Sequence, residues 1–444
     1  MVRSTFPPTK INTRRKFLEF YFHERHEFPA KTPAAIRVRQ PLEYLLFSIF
    51  PMIPFRDALD LLLTAAPTLP SESLGIESAC GRVLRQEIHA DRDFPPFDRV
   101  MMDGFAMRAG DFASGREFRI TGTAPAGSPA VELSSAAMSC VEVMTGAPLP
   151  LGADCIVPVE EITNAGGMIR VSADFEVVPG RFVHTAGSDA RAGELLLEPG
   201  ILLGSREIGV AASCGEAWIE VSKLPRIHIF ATGDELVAVD ETPQPHQIRQ
   251  SNASAIACAL QRAGHPSAAS ARLRDDPMES ALAVRSALEE SDWLIITGAV
   301  SKGARDFVPA LLDSLGCRCL FHGVAQRPGK PAGCWIGPVG QVIMALPGNP
   351  VSALTGLHAF VLPALAVASG LPLPKPRLVI PAERFAGLSG MTHHLPVTLG
   401  DDGRARPAPT GNSGDFIGLL KSDGFVTLPP RGGLSAAHPF TPWL

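Results

Sequence analysis

From Met52 onward the apolar positions of MIPFRDALDLLLTAAP recur at helical spacing and predict a helix that opens the folded protein. The stretch ESACGRVLRQEIHADRDF after it reads as a turn and an edge strand. Between 91 and 190 the pattern changes to short strand-like runs such as EFRITGTAPAG and SCVEVMTG, cut by Gly and Pro as in a small all-β unit. Helical spacing returns near 208–214, and WIEVSKLPRIHIF then holds two strand-like runs. From 224 to 368 strand and helix alternate: PRIHIF, SAIACALQRAG, MESALAVRSALEE, DWLIITG, GQVIMALPG and VSALTGLHAFVLPAL. That alternation predicts βα units around a parallel-rich sheet covered on both faces, a three-layer arrangement. SGLPLPKPR reads as a linker, and 376–444 shows short strands and turns such as DDG and SDG, a small β domain. The expected fold class is multidomain α/β. Its expected parts are a 1–51 extension, a 52–223 N-terminal and linker region with a β subdomain at about 91–185, a 224–368 α/β domain and a 376–444 β domain.

Composition changes this picture at one end of the chain. The first 51 residues carry nine Lys or Arg against four Asp or Glu, and both tyrosines, Tyr21 and Tyr44. They lack the apolar core and small-residue cleavage site of a secretory signal, so the expectation is a disordered extension or a start codon upstream of the real one. A chain of 444 residues suffices for about three domains. Its net charge of -5, without a dominant basic block, argues against a dedicated nucleic-acid surface and leaves room for a local anion pocket. No run approaches the roughly 20 apolar residues of a membrane helix. The eight cysteines are scattered, and Cys317 and Cys319 have one residue between them where zinc knuckles have two to four. Buried thiols in a reducing, cytoplasmic compartment are expected.

Ligands of open α/β sheets sit beyond the carboxyl ends of the strands, so the residues following IHIF, IIT and IMAL carry the candidate chemistry. Thr232-Gly233-Asp234-Glu235 offers close backbone approach and two acids for a metal or a phosphate-bound magnesium; the bland alternative is a turn with a helix-capping aspartate. The loop from Gly298 through Ser301, Lys302, Gly303 and Arg305 to Asp306, before a short helix expected near Pro309, would leave backbone N–H groups to cradle an anion. It lacks the Gly-Lys-Ser/Thr ending of a P-loop, and Asp306 either caps the helix or binds magnesium. Gln326-Arg327-Pro328-Gly329-Lys330-Pro331 is a stiff turn with two cations, suited to phosphate or merely solvated. In Asp275-Asp276-Pro277, Asp276 is placed as an N-cap and leaves Asp275 to serve a ligand. In Leu346-Pro347-Gly348-Asn349-Pro350, Asn349 is placed to cap the next helix. Acids at sheet ends beside Arg and Lys suit magnesium held against a phosphate or diphosphate. A further loop, FPPFDRVMMDGFA at 94–106, sets two aspartates between prolines and a glycine with no helical or strand period.

Taken in order, FDRVMMDGFA, VMTGAPLPLGADCIVPVEE, GSDARAG, ATGDEL, the DDP turn, SKGARD, RPGKP and LPGNPVSA resemble the molybdopterin molybdenumtransferase family, which includes the C-terminal part of gephyrin. The resemblance runs from about 52 to 430. It implies an elongated, mostly β N-terminal region, a central molybdenum-cofactor-binding domain, and a homodimer whose cleft joins the α/β domain of one subunit to N-terminal residues of the other. It implies adenylylated molybdopterin and molybdate as substrates, Mg2+ as cofactor, and AMP as a product. Transient contact with a molybdopterin adenylyltransferase or with cofactor-accepting proteins is also implied. Acidic roles fall to Asp103, Asp189, Glu235, Asp275 and Asp306, with Asp275 and Asp306 carrying part of the magnesium, and a hydroxyl contact falls to Thr145. Thr232, Gly233, Asp234, Gly298, Ser301 and Gly303 belong to the binding loops, Arg327 and Lys330 hold oxyanion charge, and Pro347 and Pro350 shape the pocket.

The chain departs from the family pattern at several places. Arg99-Val100-Met101-Met102 replaces small polar residues, Ala299 stands where a second Gly is usual, Arg327 and Gly323 stand where lysines are common, and Ser188 replaces Glu. A weakly catalytic binding or scaffold homologue is therefore the first alternative and a molybdopterin adenylyltransferase the second, while molybdate and tungstate stay undistinguished. Asp103 is expected far from Asp306 within a subunit and near it across the dimer.

Overall fold

The strands Ile227–Thr232, Trp293–Thr297 and Val342–Leu346 are almost wholly apolar, and all their residues but His228 are buried. Alternate side chains of these strands enter two different cores. Ile229, Ile295 and Met344 pack with the helix Asn252–Arg262 and with residues of 350–368, whereas Phe230, Ile296 and Ile343 pack against Pro277–Glu290 and Val308–Ser314. Period-two alternation across a doubly buried sheet thus produces the three layers. The computed structural model describes residues 52–266, 268–301, 306–408, 410–430 and 437–444. The 1–51 extension lies outside them.

Strand order in this six-stranded sheet begins with Ala269–Leu273, Ile227–Thr232, Trp293–Thr297 and Val342–Leu346, all parallel. Gly333–Ile336 and Arg318–His322 follow and are antiparallel. The expectation of a parallel-rich sheet holds for the first four strands. Ala269–Leu273 escapes notice in the sequence because it is an edge strand, exposed at four of its five positions and built of small and polar residues.

The chain then leaves the sheet. After Gly323, at φ +92°, Val324–Arg327 pairs with Thr392–Leu399 in a seven-stranded sheet that also takes in Ile53–Pro54. The C-terminal β layer is therefore not made from 376–444 alone. N-terminally, a six-stranded sheet has Gly104–Met107 between Cys155–Pro158 and Ser139–Val143. A smaller unit pairs Ser71–Gly75 with Trp218–Ser222 beneath the helix Ser205–Ser213. The predicted first helix is Phe55–Ala65, which buries Ala58, Leu59 and Leu62.

Two expectations need correction. Pro350–Ala368 is 19 residues long and apolar enough to span a membrane, yet 72% of that stretch is buried, with Leu357, Phe360 and Leu365 in the protein core. Its π-helical turn at Leu357–Val361 precedes Pro363, which has no N–H to continue the regular ladder. Among the cysteines, Cys140, Cys155, Cys214, Cys317 and Cys334 are buried, but Cys80 and Cys258 are exposed; all eight are unpaired.

The core assignment predicts that Ile295→Ala, at a fully buried position of the central sheet, costs about 2–5 kcal/mol. The urea midpoint should fall accordingly, while a change of under about 0.5 kcal/mol would contradict it.

Candidate functional site: a cleft at the carboxyl ends of the sheet

Two close approaches shape the floor of a cleft of about 1190 Å³. A Cβ on Gly298, which sits at φ +92°, would meet the Thr232 hydroxyl at 2.5 Å and the Thr232 carbonyl oxygen at 2.8 Å. Buried Thr232 itself donates to the Thr297 carbonyl at 3.2 Å, stitching the ends of neighbouring strands together. At Gly233, φ +143°, a Cβ would run into the Glu235 carboxylate at 2.6 Å. Ala299, also in the left-handed region at φ 50°, takes that conformation without being glycine.

Thr232, Gly233, Glu235, Asp275, Gly298 and Ser301 line the cleft together with Asp306, Arg327, Lys330, Pro347 and Pro350. Carboxylates and cations from four loops therefore share one space, with the prolines of a fifth beside them. Asp234 stands behind it: its Oδ1 accepts from the Asp275 N–H at 3.3 Å and lies 3.8 Å from Arg274 Nε, so it supports the turn that presents Asp275. Gly303 lies outside the described residues.

Capping is partly as expected. Asp276 caps Pro277–Glu290, accepting from the N–H groups of Met278 and Glu279 at 2.9 Å. The N-cap position of the helix Val308–Ser314 is held by Phe307, one residue after Asp306. No helix follows Asp234; the chain goes into the short strand Leu236–Val237, so the helix-cap alternative is not realised. Asn349 occupies the N-cap position of Pro350–Gly356 without a capping bond. Its Nδ2 donates to Ser413 Oγ at 2.9 Å, joining the α/β wall to the C-terminal wall.

That second wall, with Met391, His393, Thr410, Asn412 and Ser413, carries no hydrophobic period and was missed in the sequence; the signal within reach was the turn-rich TGNSGD. The cation turn is locked from below. Gln326, wholly buried, donates to the Gly329 carbonyl at 3.1 Å, and its Oε1 lies 3.3 Å from His394 Nε2. Burial, aided by neighbouring His393, pushes His394 down to about 3, and burial followed by the Arg327 charge lowers His393. Both rings therefore stay neutral near pH 7, leaving Arg327 and Lys330 as the positive groups of that wall. His322, beside Gly323, does not line the cleft: its Nε2 lies 2.8 Å from the Val300 carbonyl and its ring packs near Trp335.

The other predicted acids assemble elsewhere, and no residue of 52–223 lines the cleft among the described residues. Asp103 Oδ1 accepts from the Thr145 N–H at 2.7 Å and from its hydroxyl at 2.8 Å, and these bonds hold the carboxyl below its usual range. Asp189 Oδ1 lies 2.8 Å from His184 Nε2, and that bond does the same there, with smaller help from Ser188 and the Arg99 charge. The chain leading to Asp103 is bonded to the chain leading to Asp189: Met101 N–H donates to the Phe182 carbonyl and Asp189 N–H to the Phe94 carbonyl.

The fold and the cleft define an α/β protein with carboxylates and cations gathered at sheet ends for a charged ligand. Residues 53–215 match a family model described as "MoeA N-terminal region (domain I and II)", and residues 228–367 match one described as "Probable molybdopterin binding domain". A molybdopterin molybdenumtransferase of Synechocystis sp. is 36% identical over 401 residues, spanning 88% of this chain and 100% of the relative. One from Synechococcus elongatus is 34% identical, spanning 87% and 98%. The solved molybdopterin biosynthesis moeA protein of Pyrococcus horikoshii OT3 aligns with TM-score 0.75 at 26% identity, over 89% of this chain and 100% of that one. The chain belongs to the molybdopterin molybdenumtransferase family.

Three substitutions test this geometry. Gly298→Ala should destabilise by roughly 1–3 kcal/mol, because neither the φ nor the Thr232 carbonyl yields to a methyl group. Ala299→Gly should stabilise by about 0.5–1 kcal/mol by removing a left-handed alanine. Calorimetry showing the reverse order would refute the floor described above. Thr145→Val, which keeps the N–H donor and loses the hydroxyl, should move the Asp103 titration upward. The lost bond favours the ionised form, so its contribution is present at neutral pH and fades as pH falls through the folded-state value. Carboxyl carbon NMR across an acid titration reads this shift, and an unchanged titration would count against it.

Proposed function

We propose that the chain is a molybdopterin molybdenumtransferase that inserts molybdate into adenylylated molybdopterin and releases AMP. The observation that carries this reading is the convergence in one cleft of Glu235, Asp275 and Asp306 with Arg327 and Lys330. A ligand with a phosphoanhydride and an incoming oxyanion needs both signs of charge close together. Arg327 and Lys330 bind and orient the anionic groups, held by the buried Gln326 beneath them. Glu235, Asp275 and Asp306 serve as acidic groups around the bond that is cleaved. The neutral His393 and the turn at 410–414 form a wall that limits water on the remaining side.

Magnesium fits the donors present in one form. Among the described residues no three His, Cys, Asp or Glu converge as a metal cage. Magnesium commonly uses one or two carboxylates together with substrate phosphates, and Asp275 with Asp306 matches that requirement. Bound there, it would neutralise phosphate charge as the anhydride opens.

The active unit is a homodimer in this reading, with Asp103, Thr145 and Asp189 of one subunit completing the cleft of the other. Two features support it: those three residues lie off the cleft of their own chain, and the exposed Phe97, Met101 and Met144 beside them offer an apolar surface. Transient delivery from an adenylyltransferase or to acceptor proteins would use the open mouth of the cleft. A cytoplasmic location suits eight unpaired cysteines. One observation favours a second reading, a binding or scaffold homologue: Gly323 brings no charge and His322 is held under the Val300 loop, so a cation common in the family has no replacement at that point.

Purified protein supplied with adenylylated molybdopterin, magnesium and molybdate should release AMP only when molybdate is present. Asp306→Ala should reduce that rate at least about 100-fold, with pterin affinity changed far less. Tight pterin binding without any AMP from the parent protein would replace the transferase reading by the scaffold one.

A further inference from the structure

Outside the cleft, one cluster joins an arginine, a histidine and a carboxylate in line. Arg99 and His184 are directly opposed partners of the antiparallel pair Arg99–Val100 and Val183–His184. Arg99 Nη2 lies 3.0 Å from His184 Nδ1, and His184 Nε2 lies 2.8 Å from Asp189 Oδ1. Guanidinium nitrogens only donate, so Nδ1 must present its lone pair to Arg99 and carries no proton. The ring proton then resides on Nε2, where it is donated to the carboxylate. This chain of donors fixes the tautomer of the neutral ring.

Ser188 Oγ donates to the same Asp189 oxygen at 3.3 Å, while among the described residues Oδ2 has no protein partner. The charged groups around the ring are Arg99 on its own sheet and Asp189 on the following turn. Asp98, next to Arg99, is occupied by the Ala186 N–H at 2.8 Å. Arg99 and Ser188 are two of the positions at which the sequence departs from the family pattern, and both end on this one assembly.

We propose that His184 is a positioning residue: as the Nε2–H tautomer it links Arg99 to Asp189 and aims the unshared Asp189 oxygen at the ligand. The inference rests on the transferase reading of Asp189, and it assigns to the altered loop a purpose rather than a loss. Replacing the ring by Gln preserves one acceptor and one donor; replacing it by Leu removes both.

The test uses the full chain with nitrogen-15 histidine and reads ring nitrogens by long-range proton correlation, with His184→Gln identifying the signal. At pH 7 His184 should show the Nε2–H tautomer, and Arg99→Met should release it to a tautomer mixture. A charged ring or an Nδ1–H tautomer in the parent would overturn the relay. In the AMP-release assay His184→Leu should lower kcat by about 10-fold or more with little change in KM, and His184→Gln should keep most of the parent rate. Equal losses in Gln and Leu would overturn the positioning role. The expected tautomer in a parent without molybdate-dependent AMP release would instead sink the functional assignment of Asp189 and leave the relay standing.

Discussion

Burial of the three parallel strands Ile227–Thr232, Trp293–Thr297 and Val342–Leu346 on both faces is the constraint on which the rest depends. Their interiors admit no charge, so every polar group with chemical use is pushed to a strand end. Three consecutive ends then deliver Glu235, the 298–306 loop and the 347–350 turn to the same side. Asp275 arrives by the same route from the edge strand, held by its neighbour Asp234. The cleft follows from the way a doubly covered sheet disposes of polar residues, and the tight Thr232–Gly298 contact keeps two of those ends in register.

Much of this was legible in the sequence where physical rules are local. The apolar runs at 227, 293 and 342 marked buried strands because two covered faces leave no polar alternation. Asp276 was legible as a cap because Asp before Pro at a helix start satisfies orphan N–H groups. Asn349 looked the same and behaves differently: a partner 64 residues away, Ser413, competes for its amide. The antiparallel strands Arg318–His322 and Gly333–Ile336, and the departure of Val324–Arg327 to another sheet, depend on pairing between distant segments, which no local period encodes. The roles given to Asp103 and Asp189 were legible only through the resemblance. Their partners, Thr145 for Asp103 and His184 for Asp189, come from long-range packing of a β unit with weak periodicity.

The departures from the family pattern divide into kinds once their surroundings are known. Ala299 carries a backbone conformation that glycine tolerates more easily, an energetic cost at the cleft floor. Arg327 keeps positive charge on a turn stiffened by Gln326. Gly323 is the point at which the chain reverses between two sheets, at φ +92°, so a side chain there would meet backbone resistance before any question of charge arises. Arg99 is engaged with His184 rather than projecting as a loose cation.

The strand Val324–Arg327 has one further consequence. It is donated by the α/β segment but hydrogen-bonded into the C-terminal sheet, and it ends in the cation turn. The carboxylates are rooted in one sheet and the cations in the other. Rocking between these sheets would change the charge separation, so the width of the cleft and the strength of the field across it are one geometric quantity, as on a caliper.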